Sequence, residues 1–361
     1  MARGLDEIMA IVRAYARPLV GADGITFVIR EGDQCYYADE DAISPLWKGQ
    51  RFPVTSCISG WAMLNRQLVV IENIYADDRI PHAAYKPTFV KSLAMVPVRI
   101  DDPVAAIGAY WARQRQPTGE ELRTLQRIAN SAAVAMTNVA LLEELKASRE
   151  EAIRAKDAII FAMASLAEVR DNETGNHIHR TQHYVRALAE AARPAYPEEL
   201  DETAIDLIVK SAPLHDIGKI GVPDKILLKP GKLDAEEFEV MRGHAELGRR
   251  AIDAAERRLG ASTFLSVAKE IAHTHHEKWD GSGYPRGLAG TDIPLAGRLM
   301  AIADVYDALV TKRVYKDAIP HADAVELIQS ESGRHFDPEL VNVFCTVAKE
   351  FAAIHRRFGD D

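Results

Sequence analysis

From residue 120 to residue 170 the chain contains neither proline nor glycine, and no other stretch constrains the fold as strongly. A run of that length without a breaker predicts one continuous helix, much longer than the three or four turns usual in a globular protein. Along it Leu125, Ile128, Ala132, Ala135, Val139, Leu142, Lys146, Arg149, Ile153, Lys156, Ile160 and Met163 recur in alternating steps of three and four. A period of roughly 3.5 residues keeps one helical face toward a partner helix, so the pattern predicts a parallel homodimer, interrupted by charge at Lys146, Arg149 and Lys156. Domains average about 150 residues, so a chain of 361 residues is expected to hold two, with this helix between them.

Ahead of the helix, Leu5, Ile8, Met9, Val12, Tyr15, Ala16 and Leu19 repeat at helical spacing, with Pro18 and Gly21 marking the end. Strand patterns follow at residues 25–30, 34–38, 68–71, 92–100 and 104–111, with a short helix at residues 56–65. Helix, strands, short helix, strands and helix make an α+β domain. After residue 170 strand patterns are absent, and turns at residues 192–194, 222–223, 229–231 and 281–285 divide what reads as a set of helices.

Composition narrows the functional classes. A net charge of −9 opposes binding to DNA or RNA polymers, which requires a basic face. No apolar run approaches the roughly 20 residues needed to span a bilayer, so no membrane contact and a cytoplasmic location are expected. Cys35, Cys57 and Cys345 form no CxxC pair and read as reduced structural thiols. Of the 12 histidines only His82 precedes His177, which places any metal chemistry in the second half.

That half carries a series of candidate ligands. Glu173 and His177 are spaced to share a helical face. His215 and Asp216 lie in an apolar setting, where an ionised carboxylate needs a positive neighbour. His244 follows, then the adjacent pair His275 and His276, and finally Asp304 within a largely apolar helix. Gly281, Gly283 and Pro285 break the helix after the histidine pair, which permits both imidazoles to reach one cluster.

These residues stand in HDIGK at 215–219, HHEKWDGSGYP at 275–285 and ADVYDAL at 303–309, and in that order they resemble the HD-GYP family, a branch of the HD-domain metal-dependent phosphohydrolases. The first half, through SGWAMLNRQLVVIENIYADDRI at 59–80 and KSLAMVPV at 91–98, resembles a GAF sensor domain. The resemblances imply a GAF-like α+β sensor domain at residues 1–140 with an unknown ligand, a connecting helix at 120–170, and an all-α HD-type domain at 160–361. They imply hydrolysis of cyclic di-GMP to linear pGpG and on to GMP. His215, Asp216, His244, His275, His276 and Asp304 are then the expected ligands of two divalent ions, with Glu173 and His177 at a third. Nitrogen and oxygen donors without thiolate favour iron, then manganese.

In the same way Asp216 and Lys219 are implied in catalysis, Lys219 orienting the phosphate or protonating the departing ribose oxygen. Arg313 and Lys316 match positions that contact substrate, with Val314 standing where the family commonly has proline. Gly283, Tyr284 and Pro285 are expected at the site mouth, where the family loop also contacts diguanylate cyclases. The alternatives are a nucleotide receptor or adaptor using the same loop, and a hydrolase of another cyclic dinucleotide such as cyclic GMP-AMP.

Overall fold

The computed structural model describes residues 4–99, 101–171, 176–312 and 317–359. It comprises two compact units, Met1–Glu151 and Ala152–Asp361. Glu173, Arg313 and Lys316 lie outside the described residues.

The first unit opens with α1 (Leu5–Val20). Pro18 lies inside its last turn and does not end it. The stop is Gly21, whose φ of 67° is the left-handed cap that glycine adopts without strain. Then come β1 (Gly24–Glu31), β2 (Gln34–Ala42), β3 (Arg51–Pro53), α2 (Ile58–Asn65), β4 (Val69–Ile71), α3 (His82–Tyr85), β5 (Ser92–Val98) and β6 (Ala105–Trp111). The strands form one antiparallel sheet in the order β3-β2-β1-β6-β5-β4. β3 is too short to register as a period in the sequence.

β5 and β6 are buried along their whole length because both faces of the sheet are covered. Ala94, Val96, Ile107 and Ala109 join a core with Ile8 and Val12 of α1. Leu93, Met95 and Tyr110 join a second core with Ile58 and Met63 of α2, and the free thiols Cys35 and Cys57 lie in it.

The long helix, α4 (Gly119–Arg170), is continuous as expected. Its first part corrects the reading of a single dimer seam. Leu125, Ala129 and Ala132 are buried in the core that the sheet shares with α1. Farther along the apolar positions open to solvent, with Leu142 51% and Met163 50% exposed.

The second unit contains α5 (Asn176–Ala192), α6 (Glu202–Ser211), a 3-10 turn at Ile217–Gly221, α7 (Asp224–Leu227), α8 (Ala235–Arg242), α9 (His244–Leu259), α10 (Thr263–Thr274), α11 (Leu295–Val310), α12 (His321–Ser330) and α13 (Pro338–Arg357). Asp234 and Glu237 close a reciprocal capping box that starts α8. Leu188, Leu299, Met300, Tyr306, Phe344 and Phe351 centre the core. His321 is tied to this core, its Nδ1 lying 2.8 Å from the Tyr306 hydroxyl. Among the described residues no helix is long and apolar enough to cross a membrane.

Candidate metal centre

Three imidazoles of the second unit are held by the same device. Nδ1 of His215 donates to the backbone carbonyl of Ala212 at 2.9 Å, that of His244 to Met241 at 2.8 Å and that of His275 to Ile271 at 3.0 Å. A carbonyl only accepts, so the proton is placed on Nδ1 and each Nε2 presents a lone pair to the interior. Each anchoring carbonyl lies three or four residues back in the same helix or turn, so local backbone geometry orients the rings.

Asp216, His244, His275 and His276 bring ligand atoms within 4.8 Å of one another, and His177, His215 and Asp304 do the same in a second group. In the first, Asp216 Oδ1 lies 3.2 Å from His244 Nε2 and 3.5 Å from His275 Nε2. All three atoms are buried and lack a hydrogen-bond partner among the described residues. Acceptors converging without a donor fit a cation. In the second group His177 Nε2 stands 3.4 Å from His215 Nε2 and 3.7 Å from Asp304 Oδ1. Asp216 Oδ2, 3.4 Å from His215 Nε2, joins the two groups. This cluster could hold divalent metal ions. His177, expected beside Glu173 at a third ion, lies with His215 and Asp304, while Glu173 is outside the described residues.

The electrostatics favour the ligand forms of Asp216, His275 and His276, whereas at His215 burial would lower the imidazole but the neighbouring Asp216 raises it. Burial by itself would raise the carboxyl of Asp216, but Lys219, His215 and His244 hold it well below the usual carboxylate range. Burial, together with His275 and His244, pushes His276 well below the ordinary imidazole value, and burial lowers His275. Neutral rings are the form that binds metal. Lys219 Nζ lies 2.9 Å from Asp216 Oδ2 and 2.5 Å from Asp171 Oδ2, which places its ammonium at the edge of the cluster.

The loop after the histidine pair folds back onto the cluster. The Tyr284 ring lies 4.8 Å from that of His276, and Tyr284 N donates to the His276 carbonyl at 3.2 Å. Gly283 is required by this approach, since a Cβ there would stand 2.3 Å from Lys278 N. Beyond Pro285, the buried carboxylate of Glu277 accepts from the backbone of Arg286 at 2.8 Å and of Leu288 at 3.0 Å.

The structure thus brings together His177, His215, Asp216, Lys219, His244, His275, His276, Tyr284 and Asp304. Sequence reasoning passed over Glu168, whose Oε1 lies 3.9 Å from His177 Nε2, and the pair Asp307 and Arg180 behind His177. The three-residue spacings from Asp304 to Asp307 and from His177 to Arg180 were visible, and Asp307 shares the apolar helix of Asp304, but no local pattern pairs it with Arg180. Close packing adds a testable requirement. A Cβ on Gly218 would lie 1.9 Å from His244 O and 2.5 Å from Gly248 N, both backbone atoms of α9. Gly218→Ala is therefore expected to destabilise the second unit by about 3 kcal/mol, the upper end for overpacking, as read by thermal melting.

Comparison with known proteins agrees with this geometry. Residues 162–340 match the HD domain model and residues 2–137 the GAF domain model. A Vibrio cholerae protein named cyclic di-GMP phosphodiesterase is 46% identical over 299 residues, 78% of this chain and 61% of the relative. A second from that organism, named probable cyclic di-GMP phosphodiesterase, is 56% identical over 58% of this chain and 48% of its own length. A third, named 3'3'-cGAMP-specific phosphodiesterase 2, is 43% identical over 62% of this chain and 39% of its own length. The chain therefore spans 61% or less of each of these relatives. Residues 162–340 thus carry an HD domain and residues 2–137 a GAF domain, matches that together account for most of the chain.

Proposed function

We propose that this chain is a cytoplasmic metal-dependent phosphodiesterase that opens cyclic di-GMP to linear pGpG and carries the product on to GMP, under the control of its GAF domain. The observation that carries this reading is the inward convergence of the Nε2 atoms of His244 and His275 on Asp216 Oδ1, with a second ligand group and Lys219 beside it. His215, Asp216, His244, His275, His276 and Asp304 hold two ions, iron in preference to manganese, and His177 completes the second group. Bound divalent ions supply hydroxide at neutral pH and neutralise phosphate charge.

The chain's own residues do the rest. Lys219 meets a phosphate oxygen and delivers a proton to the departing ribose oxygen. Tyr284 and the loop from Gly283 to Pro285 border the opening, and Arg313 and Lys316 grip phosphate or a guanine edge. The exposed apolar residues Leu141, Leu142, Leu145, Met163 and Leu166 of α4 pack against a second copy in a homodimer. The Gly283 to Pro285 loop is also the surface offered to a diguanylate cyclase.

Anaerobically purified, metal-loaded protein tests the reading by elemental analysis followed by chromatography of nucleotide products, with cyclic di-GMP and 3'3'-cGAMP in parallel. Release of pGpG and GMP from cyclic di-GMP is expected. Preferential cleavage of cGAMP, the activity in the name of the relative 43% identical to this chain, would reassign the substrate within the same chemistry. Loss of neither substrate would leave the receptor reading. Sedimentation equilibrium is expected to give a dimer at micromolar concentration, and a strict monomer would refute the helix pairing.

A further inference from the structure

Arg170, the last residue of α4, is not in any of the motifs above, yet its guanidinium is almost fully occupied by the turn that follows His215 and Asp216. Nη1 donates to the carbonyl of Lys219 at 3.0 Å and to that of Ile220, and Nη2 donates to the carbonyl of Val222 at 2.7 Å. Nη2 and Nε also reach Asp224 Oδ1, at 2.6 and 3.1 Å. The carbonyls belong to the 3-10 turn Ile217–Gly221 and its exit, where backbone acceptors outnumber local donors. A planar fork with five donors can serve several such acceptors at once, whereas a lysine ammonium serves them as a compact point charge.

The other side of the turn is fixed as well. Gly218 presses on the backbone of α9 at His244 and Gly248, as its forbidden Cβ shows. The turn carrying Lys219 is therefore clamped between the start of the helix that presents His244 and the last side chain of the 52-residue helix α4. Asp224 is 69% side-chain exposed, so its ion pair with Arg170 is screened and the carbonyl contacts do most of the holding.

We propose that Arg170 is a positioning residue that ties the end of α4 to the Lys219 turn, and that loosening it lowers turnover while leaving metal and substrate binding in place. The proposal rests on the hydrolase reading above. Arg170 does not touch the ligand cluster; it acts through the backbone that sets where the Lys219 ammonium stands. Displacing a reacting group by about 1 Å costs up to about 100-fold in rate.

The test uses the full-length, metal-loaded protein with Arg170→Ala, Arg170→Lys and Asp224→Asn, reading kcat and KM on cyclic di-GMP, metal content, and amide exchange across residues 217–222. Arg170→Ala is expected to lower kcat by about 10- to 100-fold, with KM within about twofold and metal content unchanged. Arg170→Lys is expected to recover part of the loss, and Asp224→Asn to stay within about threefold of the parent because the carbonyl contacts remain. Exchange at the Lys219 and Val222 amides, which close this turn, is expected to quicken in the Arg170 variants. Unchanged kcat, or a kcat loss matched by metal loss, overturns the proposal. If Arg170→Ala fails to fold, Arg170→Lys decides, and parental rate and exchange in it overturn the proposal. An inactive parent protein would instead refute the hydrolase reading, and exchange alone would then show whether Arg170 holds the turn.

Discussion

Asp216→Asn is expected to abolish turnover, with kcat falling on the order of 1,000-fold, equivalent to about 4 kcal/mol of lost transition-state stabilisation. The substitution preserves shape and removes charge from a carboxylate that touches both ligand groups, 3.2 Å from His244 Nε2 on one side and 3.4 Å from His215 Nε2 on the other. An amide placed there leaves the buried imidazoles without an anionic co-ligand, so bound metal should fall together with rate. Elemental analysis and single-turnover assays of the same preparation check both. A variant within tenfold of the parent would show that Asp216 is not a ligand. If the chain were a receptor alone, the variant would change no rate and would retain its partners.

Asp307→Ala is expected to be the most damaging substitution for stability. Asp307 and Arg180 are each 1% exposed and are paired through contacts of 2.7 and 2.9 Å, and Asp307 Oδ2 also takes Nδ1 of His177 at 2.8 Å. Removing Asp307 takes a carboxylate that holds the buried Arg180 guanidinium by two contacts, at a cost of about 3–5 kcal/mol. Domain stabilities are about 5–15 kcal/mol, so a fall in Tm of roughly 10 °C is expected by calorimetry. The His177 ring loses the group that orients it, and metal affinity should drop about 10- to 100-fold. A shift in Tm below about 2 °C would contradict this role. Arg180→Met added to the alanine variant should restore part of the stability, because the buried charge that Asp307 served is gone.

Acid should weaken the same pair. Burial would raise the Asp307 carboxyl, but its hydrogen bonds to His177 and Arg180 carry it below the ordinary carboxylate range. A group whose folded pKa is depressed stabilises the protein above its unfolded value, about 3.9 for aspartate. That contribution is lost as the pH falls from there through the folded value. Asp307→Ala should therefore flatten the acid limb of the stability profile.

The buried cluster was legible because its members stand in short motifs whose residue types are costly to bury without a partner. His215 and Asp216 in an apolar frame, the pair His275 and His276 ahead of a glycine break, and Asp304 in an apolar helix each announce a buried polar group. The long helix was legible because the absence of breakers is a local property. The partial failure of the seam at Leu125 and Ala132 is instructive, since an apolar stripe does not state whether a sheet or another helix covers it.

Sequence alone therefore determined which imidazoles and carboxylates stand in motifs, where the helix runs and which half matches the GAF domain, because these depend on residue type and near-neighbour spacing. Only the tertiary structure decided that His177 joins His215 and Asp304, that Asp307 and Arg180 stand behind it, and that Arg170 reaches the turn bearing Lys219. Those are meetings between residues 38 to 130 positions apart. They follow from how α5 and α11 pack around one core and the end of α4 packs into another, and no local pattern encodes such packing.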